Sequence, residues 1–205
     1  ASIPSVFGSY NPKDFVYHEF IQVLELFKEC LLQFSDLVLA ETLSCIDEIK
    51  AVQQVFNDCD LPLWISLTLD DDHEDLSQSC LRSGESLNSA LEIINSNKVE
   101  SVLFNCSQPE IMANAIKITK NLFLSDILTG AYANRFPPIN SSQKAANVQL
   151  REIREELTPE IYKNFAVEWL KLGADIIGGC CGIGPEHIRE ISKLKKDFNN
   201  PPSFA

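Results

Sequence analysis

The sequence predicts an α/β fold built on a parallel sheet, and three observations predict it. Short β-branched or apolar runs alternate with longer segments of helical period, in the order βα six times over. Most of the runs are apolar without a polar alternate, as strands covered on both faces are. Helix-start signals follow several of them: Ser107-Gln108-Pro109-Glu110, Thr158-Pro159 and Gly184-Pro185 combine capping residues with a first-turn proline. Such alternation implies parallel strands joined by right-handed crossovers.

The first run, 3–8, precedes the longest helical pattern, 12–34, which places Phe15, Phe20, Val23, Leu24, Phe27 and Leu31 on one apolar face. The second run, 36–41, leads to a helix from near Ser44, and the third, 63–68, to one from near Gly84. The fourth, 99–105, ends at the helix start near Ser107. The fifth, 130–133, is followed by a helix from Thr158, and the sixth, 174–178, by one from Gly184. Two connections, 70–83 and 134–157, exceed a simple turn, and loops of that length are usually functional or disordered. The second runs from Asn134-Arg135-Phe136-Pro137-Pro138 into a polar segment of helical character. The triplet Asp70-Asp71-Asp72 reads as a solvated face, because its spacing does not gather carboxylates in a calcium pattern.

The chemistry concentrates at Gly178-Gly179-Cys180-Cys181-Gly182. Adjacent cysteines framed by glycines bring two thiols to one point where backbone bulk is low, a good start for a soft-metal site. Catalytic zinc takes three protein ligands and keeps a fourth position open. Cys106 is the best-placed third ligand, since it ends the run Val102-Leu103-Phe104-Asn105-Cys106 just before a helix start. Both segments then lie at the carboxyl ends of strands, where α/β proteins put their chemistry. Buried cysteine otherwise packs as a small hydrophobe, and that reading stands for Cys30, Cys45, Cys59 and Cys80, which lack the frame. His18, His73 and His187 show no metal spacing with the cysteines and read as surface or helix-start residues.

Composition narrows the classes. The 205 residues are 45% hydrophobic and 22% charged, ordinary for a globular protein with a sizeable core. The net charge of −12 with no basic stripe argues against a nucleic-acid partner. No apolar stretch approaches the roughly 18 to 20 residues of a membrane span. The first residues, Ala1-Ser2-Ile3-Pro4, lack a secretory signal pattern. Seven irregularly spaced cysteines predict a reducing, cytoplasmic setting rather than a disulfide framework.

These motifs resemble the homocysteine S-methyltransferases. Phe104-Asn105-Cys106 with its Pro-Glu helix start, and Ile176-Ile177-Gly178-Gly179-Cys180-Cys181-Gly182 with Gly184-Pro185-Glu186-His187-Ile188, look like that family's two zinc motifs. Leu37-Val38-Leu39-Ala40-Glu41-Thr42 is similar to its strand ending in glutamate, Trp64-Ile65-Ser66-Leu67-Thr68 to the next strand, and Leu81-Arg82-Ser83-Gly84-Glu85 to the Ser-Gly segment before the following helix. Gly130-Ala131-Tyr132-Ala133-Asn134 looks like the strand with a Tyr-x-Asn pattern. The resemblance implies a (β/α)8 TIM barrel that binds Zn2+ through Cys106, Cys180 and Cys181. It also implies homocysteine as methyl acceptor and S-methylmethionine or S-adenosylmethionine as donor. Glu41 matches the glutamate that holds the homocysteine ammonium, and Ser66, Asn105, Tyr132 and Asn134 match positions around the substrate.

A TIM barrel takes eight βα units and about 250 residues, whereas about six units are counted here. Residues 1–198 are expected to form one homocysteine-binding domain lacking the first two units and their Asp-Gly-Gly motif, with 199–205 as a tail. The open edges would invite self-association. Two functions follow: a zinc-dependent methyltransferase, or a non-catalytic remnant that keeps the three-cysteine site for structure or binding. A zinc hydrolase is the weaker third, because three thiolates without a neighbouring general base suit thiol activation better than water activation.

Overall fold

The computed structural model describes residues 1–6, 12–71, 78–124, 126–138 and 152–195. The strands are β1 (Ser2–Pro4), β2 (Val38–Leu43), β3 (Leu63–Leu67), β4 (Val99–Asn105), β5 (Leu128–Tyr132) and β6 (Ile176–Ile177). They form one parallel sheet in sequential order from β1 to β6. The helices are α1 (Tyr17–Leu31), α2 (Ile46–Phe56), α3 (Leu87–Glu92), α4 (Pro109–Phe123), α5 (Pro159–Lys171) and α6 (Pro185–Ser192). Each packs against the next in sequence. Strands in order, with successive helices in contact, describe a singly wound sheet of the TIM-barrel kind, since a doubly wound sheet reverses its order at a switch point.

Register divides the side chains. Ala40, Ile65, Val102 and Thr129 lie side by side, as do Leu67, Phe104 and Ala131, and all seven are buried. With Ile49, Val52, Phe56, Met112, Ile116, Tyr162 and Trp169 they make the core between sheet and helices. Burying side chains of this size stabilises by about 1.5–3 kcal/mol each. The other face carries Glu41, Ser66, Leu103, Asn105, Gly130 and Tyr132, because pleating sends alternate residues to opposite sides. Four of the expected substrate positions therefore share one face.

Several elements differ from the sequence reading. The first helical pattern, 12–34, divides into a 3-10 turn at Pro12–Asp14, α1, and a second 3-10 turn at Leu32–Phe34. Val16 between the first two is extended. β1 is three residues, and 7–11 lie outside the described residues. β6 is two residues, although the chain beyond it still follows β5 by hydrogen bonds from Gly178 N to Ala131 O and from Cys180 N to Ala133 O. In the connection 134–157 the described parts, 134–138 and 152–157, are not helical; the rest, like His73 and the tail 199–205, lies outside the described residues. Cys30 is exposed rather than packed, while Cys45 and Cys59 are buried. Among the described residues no helix is long and apolar enough to cross a membrane.

Candidate metal centre

Cys106, Cys180 and Cys181 converge, with their sulfurs all within 4.8 Å of one another. Cys106 Sγ lies 2.7 Å from Cys180 Sγ, which lies 3.9 Å from Cys181 Sγ. Three thiolates around one zinc at about 2.3 Å stand roughly 3.8 Å apart, so the trio has the size and donor chemistry of a soft tetrahedral site. None of the seven cysteines forms a disulfide. Contact with Cys106 foremost, then Cys181 and burial, raises the Cys180 thiol well above its ordinary pKa. Negative charge on crowded sulfurs needs a cation to offset it.

Different devices present the three thiols. Cys106 follows β4 with φ of 51°, a left-handed conformation unfavourable for a residue with a Cβ, and this turns the chain toward the α4 N-cap at Gln108. The Cys180-Cys181 segment is laced to the chain after β5 through main-chain atoms: Arg135 N donates to Cys181 O at 2.8 Å, and Cys180 N to Ala133 O at 3.0 Å. Glycine permits unusual dihedrals, yet neither Gly178 nor Gly179 has a positive φ. The positive φ belongs instead to Gly182, at 79°, and Gly179 supplies clearance, since a Cβ there would fall 2.2 Å from Ile183 Cγ2.

The polar residues form two groups. Asn105 accepts from Ser66 Oγ at 2.8 Å and Thr42 N at 3.1 Å, and its amide donates to Thr42 Oγ1 at 2.8 Å. Thr42 too is left-handed, with φ of 65°, at the irregularity in the β2–β3 register. Ser66 and Asn105 are fully buried, so they shape the strand ends beneath the site. The second group is half-buried: Tyr132 OH donates to Glu41 Oε2 at 3.1 Å, and Ser2 Oγ donates to Glu41 Oε1. Burial, followed by the charge of Glu41 among the raising influences, pushes the Tyr132 phenol above its ordinary pKa, so the hydroxyl stays protonated and a donor. Asn134 is buried; its N donates to Ser107 O and its Oδ1 accepts from Phe136 N. Its Nδ2 has no hydrogen-bond partner among the described residues.

Sequence reasoning missed Thr42, Asp71, Arg82 and Tyr162. Tyr162 OH donates to Gly178 O at 2.9 Å and accepts from Ala133 N at 3.1 Å, tying the cysteine loop to β5. Asp71, expected on a solvated face, is buried in an ion pair with Arg82. Antiparallel pairing of Leu69 with Leu81 returns the chain and joins them. His187 does start a helix, but it is buried rather than on the surface: Nδ1 accepts from Gly184 N and Nε2 meets Leu157 O at 3.0 Å.

Comparison with known proteins agrees with this architecture. Residues 5–194 match the family model described as homocysteine S-methyltransferase. The chain is 28% identical over 184 residues to betaine-homocysteine S-methyltransferase of Drosophila melanogaster, covering 84% of this chain and 51% of that protein. It is 29% identical over 162 residues to homocysteine S-methyltransferase 1 of Brassica oleracea var. italica, covering 77% and 45%. The metallated form of the Escherichia coli homocysteine methyltransferase MmuM superposes with a TM-score of 0.67 at 22% identity, over 91% of this chain and 55% of that one. The chain thus spans about half the length of these relatives. On the match of residues 5–194, the chain belongs to the homocysteine S-methyltransferase family.

Proposed function

We propose that the chain carries the thiol-activating part of a zinc-dependent homocysteine S-methyltransferase. Its reaction moves a methyl group from a sulfonium donor, S-methylmethionine or S-adenosylmethionine, to homocysteine, giving methionine. The carrying observation is the convergence of Cys106, Cys180 and Cys181 in a chain of this family. Those three residues would hold zinc, which when bound lets a thiol whose ordinary pKa is near 8.5 react as a thiolate at neutral pH.

The chain's own residues orient the acceptor. Glu41, on the same sheet face, offers a carboxylate to the homocysteine ammonium, a charge-assisted contact. Tyr132 steadies that carboxylate by its hydrogen bond, and the amide of Asn134 has a donor to spare. Ser66 and Asn105 fix the strand ends behind them. In the displacement the carbon–sulfonium bond breaks as the new sulfur–methyl bond forms, and the donor leaves as a neutral thioether. The sulfonium's charge already activates the methyl, so alignment is the main demand on the protein.

Residues 1–198 would act as one homocysteine-binding unit, with 199–205 as a tail, in a cytoplasmic setting suited to seven thiols. Among the described residues β1 and β6 each have one neighbouring strand, so this length by itself would self-associate at those edges and turn over poorly. A second reading, a zinc site retained without catalysis, rests on the same three converging cysteines.

Metal analysis of the wild type and of Cys181→Ser tests the site: one zinc per chain in the first and loss in the second are expected, and equal zinc contents would refute it. A version extended to the relatives' length, incubated with homocysteine and either sulfonium, tests catalysis, and zinc without methionine would favour the second reading. In that version Glu41→Ala should weaken homocysteine binding by about 1.5–3 kcal/mol. An unaltered dependence on homocysteine would remove Glu41 from the site.

A further inference from the structure

The turn that presents Cys106 is bracketed by a charged pair that the proposed chemistry does not use. Arg82 Nη2 donates to Cys106 O at 3.0 Å and to Asp71 Oδ2 at 2.8 Å, while its Nε donates to Thr68 Oγ1 at 3.0 Å. Asp71 Oδ1 accepts from Gln108 N at 2.9 Å. The guanidinium thus grips the carbonyl of Cys106, and the carboxylate grips the amide two residues on. Between them Ser107 Oγ accepts from Leu69 N at 2.7 Å and contacts Thr68 Oγ1 at 3.1 Å. The Cys106 carbonyl, the Ser107 hydroxyl and the Gln108 amide are therefore all referred to the end of β3 and the segment returning from it.

Both side chains are withdrawn from water, with 5% of Arg82 and 1% of Asp71 exposed. A buried ion pair is weak evidence for stability, because desolvation cancels much of its attraction. Its better-attested use is to single out one conformation. Here the conformation that needs singling out is the left-handed Cys106, which an isolated chain disfavours. An arginine suits the task because its planar fork reaches Thr68, Asp71 and Cys106 O at once, as a lysine's single ammonium does not.

We propose that Arg82 and Asp71 are positioning residues that hold Cys106 left-handed and so fix where its thiol meets those of Cys180 and Cys181. The proposal rests on the metal-site reading above. Outer partners of metal ligands typically contribute about 10- to 100-fold in affinity, which sets the size of the effect.

The test uses the full chain with Arg82→Met, Arg82→Lys and Asp71→Asn, titrated with cobalt(II) and with zinc against a chromophoric chelator. Arg82→Met should weaken zinc by about 10- to 100-fold and alter the cobalt visible bands, with Arg82→Lys recovering part of the loss. Leu24→Ala, which disturbs the core far from the site, should leave the cobalt spectrum unchanged despite lower stability. If Arg82→Met does not fold, Asp71→Asn, which keeps the guanidinium, takes its place. Wild-type affinity and spectrum in the variants would overturn the proposal. If the wild type itself takes up no cobalt or zinc, the metal reading fails, and hydrogen exchange at the amides of Ser107 and Gln108 decides the pair separately. Exchange accelerated by Arg82→Met beyond that in Leu24→Ala upholds the bracket, and unchanged exchange overturns it.

Discussion

The two halves of the cysteine cluster are fixed by opposite means. Cys106 stands in the middle of the sheet, flanked by β3 and β5, and side chains brace its turn: Asn105 beneath, Arg82 and Asp71 around. Cys180 and Cys181 stand at the edge, beyond a strand of two residues, and main-chain bonds to the segment after β5 carry them. Cys106 is buried and Cys181 exposed. Central strands leave room for polar side chains to interlock between neighbours, whereas an edge loop has one neighbour and must use its own backbone. A substitution should therefore act on the braced half chiefly through lost hydrogen bonds and on the laced half chiefly through lost clearance.

The largest effect tests whether the halves meet on one ion. Thiols must lose protons to bind zinc, and in the metal-free protein Cys180 holds its proton more tightly than an ordinary thiol. Lowering the pH therefore favours release, and between about pH 8 and about pH 6 affinity should fall by more than about tenfold per unit. A chelator competition at each pH measures it, and a pH-independent affinity would mean the thiols do not bind the metal. Next comes Asn105→Ala on the braced side. It removes three hydrogen bonds and strands the buried Thr42 N–H, so unfolding in urea should show a loss of about 2–4 kcal/mol.

Gly179→Ala probes the laced side. Its new methyl would meet Ile183 and cost about 1–3 kcal/mol, with Ile183→Ala restoring part of it. An Asn105→Ala effect smaller than that of Gly179→Ala would reverse the contrast. The smallest effect is expected from Tyr162→Phe, which deletes the hydroxyl joining Gly178 O to Ala133 N. A thermal or urea midpoint shift corresponding to about 1–2 kcal/mol should follow, with zinc content preserved.

Much of this was legible beforehand, and the reasons are physical. Continuous apolar runs exposed the six strands because parallel strands bury both faces. The doublet Cys180-Cys181 stood out because glycines on both sides have little other purpose in a strand-end loop. What stayed hidden depends on conformation or on return of the chain. The left-handed Thr42 and Cys106 leave no trace in residue type, since both belong to residues with a Cβ. Asp71 looked solvated because its neighbours are acidic, and its partner Arg82 is reached only through the Leu69–Leu81 pairing. The division of the 12–34 pattern was masked because 3-10 turns at both ends keep nearly the helical period.

The left-handed residues beside the cysteine cluster, Thr42 and Cys106, also bear on how this molecule would respond to laboratory evolution. Each holds a backbone geometry that glycine or asparagine adopts at lower cost, by about 1–2 kcal/mol per site. A library screened for heat tolerance alone should accordingly drift toward glycine or asparagine at 42 and 106, and the survivors would be sturdier proteins without the third thiol. Stabilising this scaffold for use therefore means excluding those two positions from randomisation and seeking gains on the outer helices, where sturdiness and chemistry do not compete.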